Sequence, residues 1–199
     1  MTDLLLDSKR RCKWVLDLDS LYEQYHDLEW GVPIHDDQKH FEFLVLEGAQ
    51  AGLSWITILR RREGYREAFA GFRPEVVAEY DEKKVLELLF CEKIVRNRLK
   101  IQSAVINARL FLAIQKEYGS FNRYIWQFVQ GKTIQNSWKS IQQVPAETEQ
   151  SRSLSRDLKK RGFKFVGPTV MYAHMQAAGL VNDHTVDCFR HRELALVPK

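Results

Sequence analysis

Apolar side chains recur with helical spacing along most of the chain, and very few stretches alternate between apolar and polar positions as a half-buried strand would. The strongest pattern starts at Asp36 and Asp37, and Glu47 is the only charged side chain from residue 43 to residue 59. We predict one long central helix here, buried on most of its faces. On that helix Trp55 would follow Glu47 by about two turns.

Other patterns predict shorter helices on both sides of the central one. Ser20 and Glu23 form a capping box that opens a helix ahead of Pro33, and Pro74 suits the first turn of another helix. No strand ladder is apparent, so the pattern indicates an all-α fold. Further helices are expected at residues 85–89, 100–118, 121–129, 154–161 and 170–178, and a polar loop at residues 131–150.

A chain of 199 residues and 23.4 kDa can form one substantial hydrophobic core. We expect residues 1–11, which end in Lys9, Arg10 and Arg11, to be a mobile basic segment. Residues 12–190 would form a single compact helical domain, and residues 191–199 a C-terminal tail.

Composition excludes several classes of protein. No apolar run reaches the roughly 18 residues of a membrane helix, and the N-terminus lacks the apolar core of a signal peptide. We therefore expect a cytoplasmic protein with no membrane partner. The net charge of +4 favours a polyanionic partner only weakly. No Walker-type or dinucleotide glycine loop occurs, so a nucleotide cofactor is not indicated.

Glu47 is the first candidate for chemistry, because burying an ionised carboxylate without a partner costs several kcal/mol. One interpretation is a core glutamate that is satisfied by donors of the protein. The other is an acid whose partner is a ligand. Tyr25, Trp30 and Trp55 would surround the acid with aromatic faces, and such a site suits a flat, positively charged ligand.

The cysteines and histidines near the two ends of the chain are the second candidate. Only three cysteines occur, which disfavours a secreted disulfide framework. Cys12 and His26 lie near one end, and His184 and Cys188 lie near the other. Two thiolates and two neutral imidazoles would form a closed tetrahedral zinc site, as in structural zinc centres. Buried cysteines and histidines without a metal are the competing interpretation.

The third candidate is a basic hairpin. Residues 92–99 are predicted to be a short connection between two helices, and Arg96, Arg98 and Lys100 surround the start of the second helix. Backbone amides at a helix N-terminus bind phosphate, and nearby cations strengthen that contact. A solvated surface is the competing interpretation, here and for the basic residues at 60–66 and 159–164.

Five motifs resemble the 3-methyladenine DNA glycosylase I family, and together they span Cys12 to Cys188. The resemblance implies an all-α helix-hairpin-helix DNA repair enzyme that flips a methylated base out of the duplex and hydrolyses its bond to deoxyribose. The motifs are CKWV at 12–15, YHDLEWGVP at 25–33, LEGAQAGLSWITIL at 46–59, KKRGFKFVG at 159–167 and NDHTVDC at 182–188.

The family's functional residues carry over to matching positions. Glu47 matches the catalytic acid that recognises the base, Gly52 and Leu53 match the wedge that enters the gap left by the flipped base, and Arg96, Arg98 and Lys100 fall at the DNA-backbone hairpin. The resemblance implies alkylated double-stranded DNA as partner, free 3-methyladenine as product and a monomer. The aromatic pocket would be Tyr25, Trp55 and Trp14, and the structural zinc ligands Cys12, His26, His184 and Cys188.

Two departures from the family pattern bear on DNA binding and on the metal. Lys93 and Leu99 stand where the family hairpin usually has glycines, and Cys12 and His26 are one residue further apart than the matching pair in one member of the family. The sequence identifies no residue that positions the attacking water. A zinc-stapled helical DNA-binding module without excision activity, or a binder of small purine cations, is therefore the alternative.

Overall fold

The computed structural model describes residues 9–15 and 20–196. The fold of these residues is mainly α-helical, as predicted. Their α-helices are α1 (Ser20–Leu28), α2 (Asp37–Gln50), α3 (Trp55–Leu59), α4 (Arg62–Ala68), α5 (Pro74–Val77), α6 (Glu82–Leu89), α7 (Arg98–Tyr118), α8 (Phe121–Trp126), α9 (Glu149–Arg161), α10 (Pro168–Ala177) and α11 (Phe189–Ala195).

Helix α2 is the centre of the core and packs against α7, α8 and α10. Phe41 and Leu46 on α2 are fully buried, as is Phe111 on α7, whose ring meets Phe41 edge-on at 5.4 Å. Burial of each such side chain stabilises the fold by roughly 1.5–3 kcal/mol. The start of α2 is as predicted, because the Asp36 carboxylate accepts a hydrogen bond of 2.7 Å from the Lys39 amide.

The prediction of one helix continuing to Leu59 is wrong. Helix α2 ends at Gln50, and Ala51 leaves the helical region with ψ 115°. Gly52 follows with φ +78°, a conformation that costs glycine little, and Ser54 is extended. Trp55 therefore begins a separate helix and does not lie two turns along α2. Gly52 and Leu53 lie in this exposed turn between the helices.

The predicted connection between two helices is present at residues 90–97. Asn97 ends it and caps α7, because its side-chain oxygen accepts a 3.1 Å hydrogen bond from the Lys100 amide. Helix α4 packs tightly on this connection: a Cβ at Gly64 would lie 2.5 Å from the Lys93 carbonyl oxygen. The connection is thus held between α4, α6 and α7.

Two further features differ from the sequence predictions. Within the described residues, β1 (Ile134–Gln135) and β2 (Val181–Asn182) form a short parallel ladder, whereas no strands were predicted. The predicted C-terminal tail begins inside α11, where Leu194 is buried.

Arg10 and Arg11 belong to the segment that we expected to be mobile, and both form ion pairs, with Asp187 at 2.8 Å and with Asp27 at 2.7 Å. Residues 1–8 of that segment lie outside the described residues. Among the helices that the structure describes, none has the length and apolar character that crossing a membrane requires.

Candidate active site and metal cluster

A cavity of about 210 Å³ lies beside the C-terminal half of α2. Aromatic rings form much of its wall, and the structure brings together there the three residues of the predicted aromatic pocket, Tyr25, Trp55 and Trp14. The lining residues are Trp14, Tyr22, Tyr25, Trp30, Glu47, Gln50, Trp55, Ile141, Ala173 and Gln176.

Glu47 is the acidic residue of this wall and is only 3% exposed. Its Oε2 atom has no hydrogen-bond partner among the described residues. Burial raises the pKa of this carboxyl group well above its ordinary value. An acid held by donors of the protein would have both oxygens satisfied, so the unpaired oxygen favours the interpretation in which a ligand is the partner.

Tyr25 and Trp55 bring two aromatic rings to the same cavity. Their centroids are 5.5 Å apart and their planes are inclined by 52°. Trp55 Nε1 is buried and has no hydrogen-bond partner among the described residues, so a second polar atom of the wall is unsatisfied. Burial, and then the nearby Glu47 carboxylate, raises the pKa of the Tyr25 hydroxyl, which therefore stays a neutral donor at physiological pH.

Cys12, His26, His184 and Cys188 come together as a buried cluster whose ligand atoms all lie within 4.8 Å of one another. Cys188 Sγ lies 3.5 Å from His26 Nε2 and 3.4 Å from His184 Nδ1, and Cys12 Sγ lies 3.6 Å from the same His184 nitrogen. The structure thus assembles the four predicted ligands from both ends of the chain.

The second nitrogen of each imidazole has its own partner. His26 Nδ1 lies 2.7 Å from the Asp27 carboxylate, and His184 Nε2 lies 3.0 Å from the Trp30 carbonyl oxygen. These contacts keep a proton on the outer nitrogen and leave the inner nitrogen free to ligate, an arrangement that is usual around metal-binding histidines. The donor set therefore fits a divalent metal such as zinc.

The two thiols of the cluster also favour a metal. Their mutual contact lowers the pKa of Cys188 and raises the pKa of Cys12. Two thiolates within 4.8 Å of each other repel in a buried site, and a divalent cation would remove that repulsion. The cluster also contacts the cavity wall, since the Trp30 ring lies 4.6 Å from His184.

The sequence model of the methyladenine glycosylase family matches residues 14–191 of this chain. The chain belongs to the methyladenine glycosylase family. It is 47% identical to a DNA-3-methyladenine glycosylase of Haemophilus influenzae over 89% of this chain and 96% of the relative.

Solved structures of the family have the same fold. A crystal structure of 3-methyladenine DNA glycosylase I superposes with a TM-score of 0.88 at 49% identity, over 90% of this chain and 98% of the other. A second structure shows the Staphylococcus aureus 3-methyladenine DNA glycosylase I and concerns the structural basis of 3-methyladenine recognition. It superposes with a TM-score of 0.85 at 38% identity, over 91% of this chain and 93% of the other.

Gly52 and Leu53, the residues matched to the family's wedge, lie between two residues of the cavity wall. Gln50 precedes the turn, Trp55 follows it, and Leu53 is 39% exposed. The turn is closed by a 2.6 Å hydrogen bond from the Leu53 amide to the Gln50 carbonyl. An exposed leucine thus projects from the segment that also supplies part of the cavity.

The three basic residues matched to the family hairpin differ in their surroundings. Arg96 and Arg98 are exposed, and each pairs with a glutamate, Glu92 and Glu82 respectively. Lys100 is half-buried, and its Nζ donates to the Ala49 carbonyl at 2.8 Å and to the Ala51 carbonyl at 2.7 Å. Lys100 therefore does not share the exposed position of the two arginines.

Sequence reasoning missed half of the cavity wall. Tyr22 and Gln50 lie three positions from Tyr25 and Glu47, so helical spacing could have indicated both. Ile141 lies in the segment predicted to be a loop, and Ala173 and Gln176 lie on α10. No local pattern connects those three residues with Glu47.

Asp183 holds the α10 side of the cavity in place. This buried carboxylate accepts hydrogen bonds from Tyr172 at 2.6 Å and from the Gln176 amide at 2.8 Å, both on α10. It also accepts from Asn136 at 2.7 Å and from Trp138 at 2.8 Å. Since His184 is the next residue, the same segment positions the cavity wall and a ligand of the metal cluster.

Proposed function

We propose that the chain is a DNA-3-methyladenine glycosylase, an enzyme that flips N3-methyladenine out of alkylated double-stranded DNA and hydrolyses its N-glycosidic bond. The products are the free base and an abasic site. The observation that carries the proposal is the unpaired Glu47 oxygen inside a cavity walled by aromatic rings. Membership of the methyladenine glycosylase family supports the same substrate.

The chemistry of the substrate fits this cavity. Methylation at N3 makes the adenine cationic while it is still bonded to the sugar, so it leaves as a neutral base and needs little help from a general acid. Trp55 and Tyr25 would stack on the cationic ring, and Glu47 would accept hydrogen bonds from the edge with the exocyclic amine. The enzyme mainly has to extrude the base and hold it.

Glu47 would contribute most once the base is bound. Burial alone favours its protonated form, but a cationic base next to the carboxyl group favours the carboxylate. An ionised acceptor binds the amine more strongly than a neutral one does. The cavity would therefore discriminate between the cationic base and undamaged adenine, because only the cation offsets the cost of ionising Glu47.

The hairpin and the turn after α2 would bind the DNA. Helices α6 and α7 would form a helix-hairpin-helix unit whose Arg96 and Arg98 contact the phosphate backbone. Leu53, next to Gly52, would enter the gap that the flipped base leaves. Lys93 and Leu99 replace small residues of the family hairpin; Leu99 is 69% exposed, and the Lys93 ammonium pairs with Glu67.

The Cys12, His26, His184 and Cys188 cluster would hold one structural zinc ion. Bound zinc would supply a rigid tetrahedral junction between the two ends of the chain and no reactive group, since four protein ligands leave no open position. The cluster lies behind the cavity, where Trp14 meets the His26 ring at 5.2 Å. Its part in excision would be to keep the aromatic wall in place.

Release of free base from DNA tests the proposal. Duplex DNA treated with a methylating agent is incubated with the protein, the freed bases are separated by chromatography, and the strands are examined on a denaturing gel. We expect 3-methyladenine in the supernatant and strands that break only after alkali. Borohydride should trap no covalent adduct, because no lysine in the described residues lines the cavity. Binding to DNA without any base release would favour the non-enzymatic DNA-binding module.

A further inference from the structure

Lys100 occupies an unusual position for a basic residue at a DNA-binding hairpin. It is the third residue of α7, yet its side chain reaches the far end of α2, where it donates to the Ala49 and Ala51 carbonyls at 2.8 and 2.7 Å. Helix α2 has no basic residue in its own last turn. The carbonyls at a helix C-terminus lack helical partners and attract cations, so Lys100 supplies the cap that α2 itself lacks.

The capped carbonyls border the turn at residues 51–54. All four residues of this turn are exposed, and one short hydrogen bond, from the Leu53 amide to the Gln50 carbonyl, closes it. Glu47 and Gln50 precede the turn on the cavity wall, and Trp55 follows it on the same wall. The position of the turn therefore sets where Trp55 stands relative to Glu47, and where Leu53 projects.

A direct phosphate contact is the other role that Lys100 could have. The structure disfavours it, because two of the three ammonium donors are already used and the side chain is half-buried. Burial lowers the pKa of the ammonium group, in keeping with its removal from water. Arg96 and Arg98, whose side chains are 57% and 51% exposed, are better placed for phosphates.

We propose that Lys100 is a positioning residue for base excision. It fixes the turn at residues 51–54 against the N-terminus of α7. The hairpin that holds the DNA and the wall that holds the base between Trp55 and Glu47 therefore form one rigid unit. The inference rests on the proposed function. It assigns Lys100 to the carbonyls of α2 and not to the DNA backbone.

Lys100→Met tests the inference, because methionine keeps most of the side-chain volume and removes all three donors. We expect the single-turnover rate of 3-methyladenine release at saturating DNA to fall by about tenfold. Affinity for undamaged duplex DNA, and the slope of that affinity against salt concentration, should stay as in the wild type. Lys100→Arg keeps a cation with several donors and should restore most of the rate.

A matched control is Lys83→Met on α6, which removes an exposed lysine from the helix before the hairpin. Its excision rate should equal that of the wild type. Three results for Lys100→Met would overturn the inference. The first is an unchanged excision rate, and the second is a lower melting temperature with full activity per folded molecule. The third is a decrease in the salt dependence of DNA affinity that corresponds to the loss of about one phosphate contact. If the wild-type chain excises no base, both the proposed function and the role of Lys100 are wrong. If the wild type is active and Lys100→Met excises at the same rate, only the role of Lys100 is wrong.

Discussion

Glu47→Gln distinguishes an acid that binds the base from a core glutamate that is held by donors of the protein. The substitution keeps the shape of the side chain, removes the charge and replaces one acceptor with a donor that faces the amine of the base. A charge-assisted hydrogen bond contributes roughly 1.5–3 kcal/mol, so excision of 3-methyladenine should fall by about tenfold to a hundredfold. Affinity for undamaged DNA should hardly change. Single-turnover excision and DNA titration measure the two quantities on the same variant.

The difference in stability between this variant and the wild type should depend on pH in a defined direction. Burial raises the folded-state pKa of Glu47 above its ordinary value of 4.5, so at a pH between the unfolded and folded pKa values the folded chain keeps a proton that the unfolded chain releases. The free energy of unfolding of the wild type therefore falls as pH rises through this window. Glu47→Gln lacks this loss. It should match the wild type near about pH 4 and exceed it near about pH 7.

Urea unfolding of both proteins at a series of pH values measures the difference between their free energies of unfolding. Contributions from all other titrating groups are common to the two chains and cancel. Glu75→Gln, on an exposed position of α5, is the control for removing a carboxylate without burial and should show no such divergence. A Glu47→Gln protein that is less stable than the wild type but fully active would show that donors of the protein hold this acid.

At the scale of the elements, Asp37 joins three helices. This first residue of α2 accepts hydrogen bonds from Gln115 on α7 at 2.6 Å and from the amides of Phe121 and Asn122, at 2.8 and 2.7 Å, where α8 begins. Asp37→Asn removes the charge and one acceptor, so we expect the free energy of unfolding to fall by about 1.5–3 kcal/mol. Asp37 does not line the cavity, and excision per folded molecule should be retained.

Asp36→Asn is the matched control for that prediction. Asp36 is exposed and caps α2 through a single contact, and asparagine caps a helix about as well as aspartate does. Its denaturation midpoint should stay close to that of the wild type. An equal loss in both variants would mean that the start of α2, and not the junction of the three helices, determines the effect.

The elements also show how far the sequence could be interpreted. Local signals gave the start of α2 at Asp36, the proline that opens α5, and Glu47 with some of the aromatic residues of the wall, although Gln50 was missed. The break after Gln50 was missed because the apolar spacing resumes in phase at Trp55. The contact from Lys100, which is distant in sequence, caps the helix end at this break and could not be read from the local pattern. Ile141 and Gln176 reach the cavity through similarly distant contacts.

At the scale of the whole molecule, described segments near the two ends of the chain meet behind the cavity. Cys12 and His26 come from the first described segments, and His184 and Cys188 come from the segment that follows β2. The ladder between β1 and β2 and the contacts of Asp183 hold that same segment. A disturbance of the cluster should therefore spread to Trp14 and Trp30, whose rings contact its histidines.

We predict one zinc ion per chain, bound by this cluster, that stabilises the fold without taking part in the reaction. Metal analysis of the purified protein should find zinc, and Cys188→Ala should abolish tight binding. The loss of several kcal/mol would lower the melting temperature by roughly 10 °C, while excision per folded molecule falls much less. Cys91→Ala, at a half-buried cysteine outside the cluster, should keep the zinc. Protein that contains no zinc, or a Cys188→Ala variant that melts like the wild type, would show that the four residues are a metal-free part of the core.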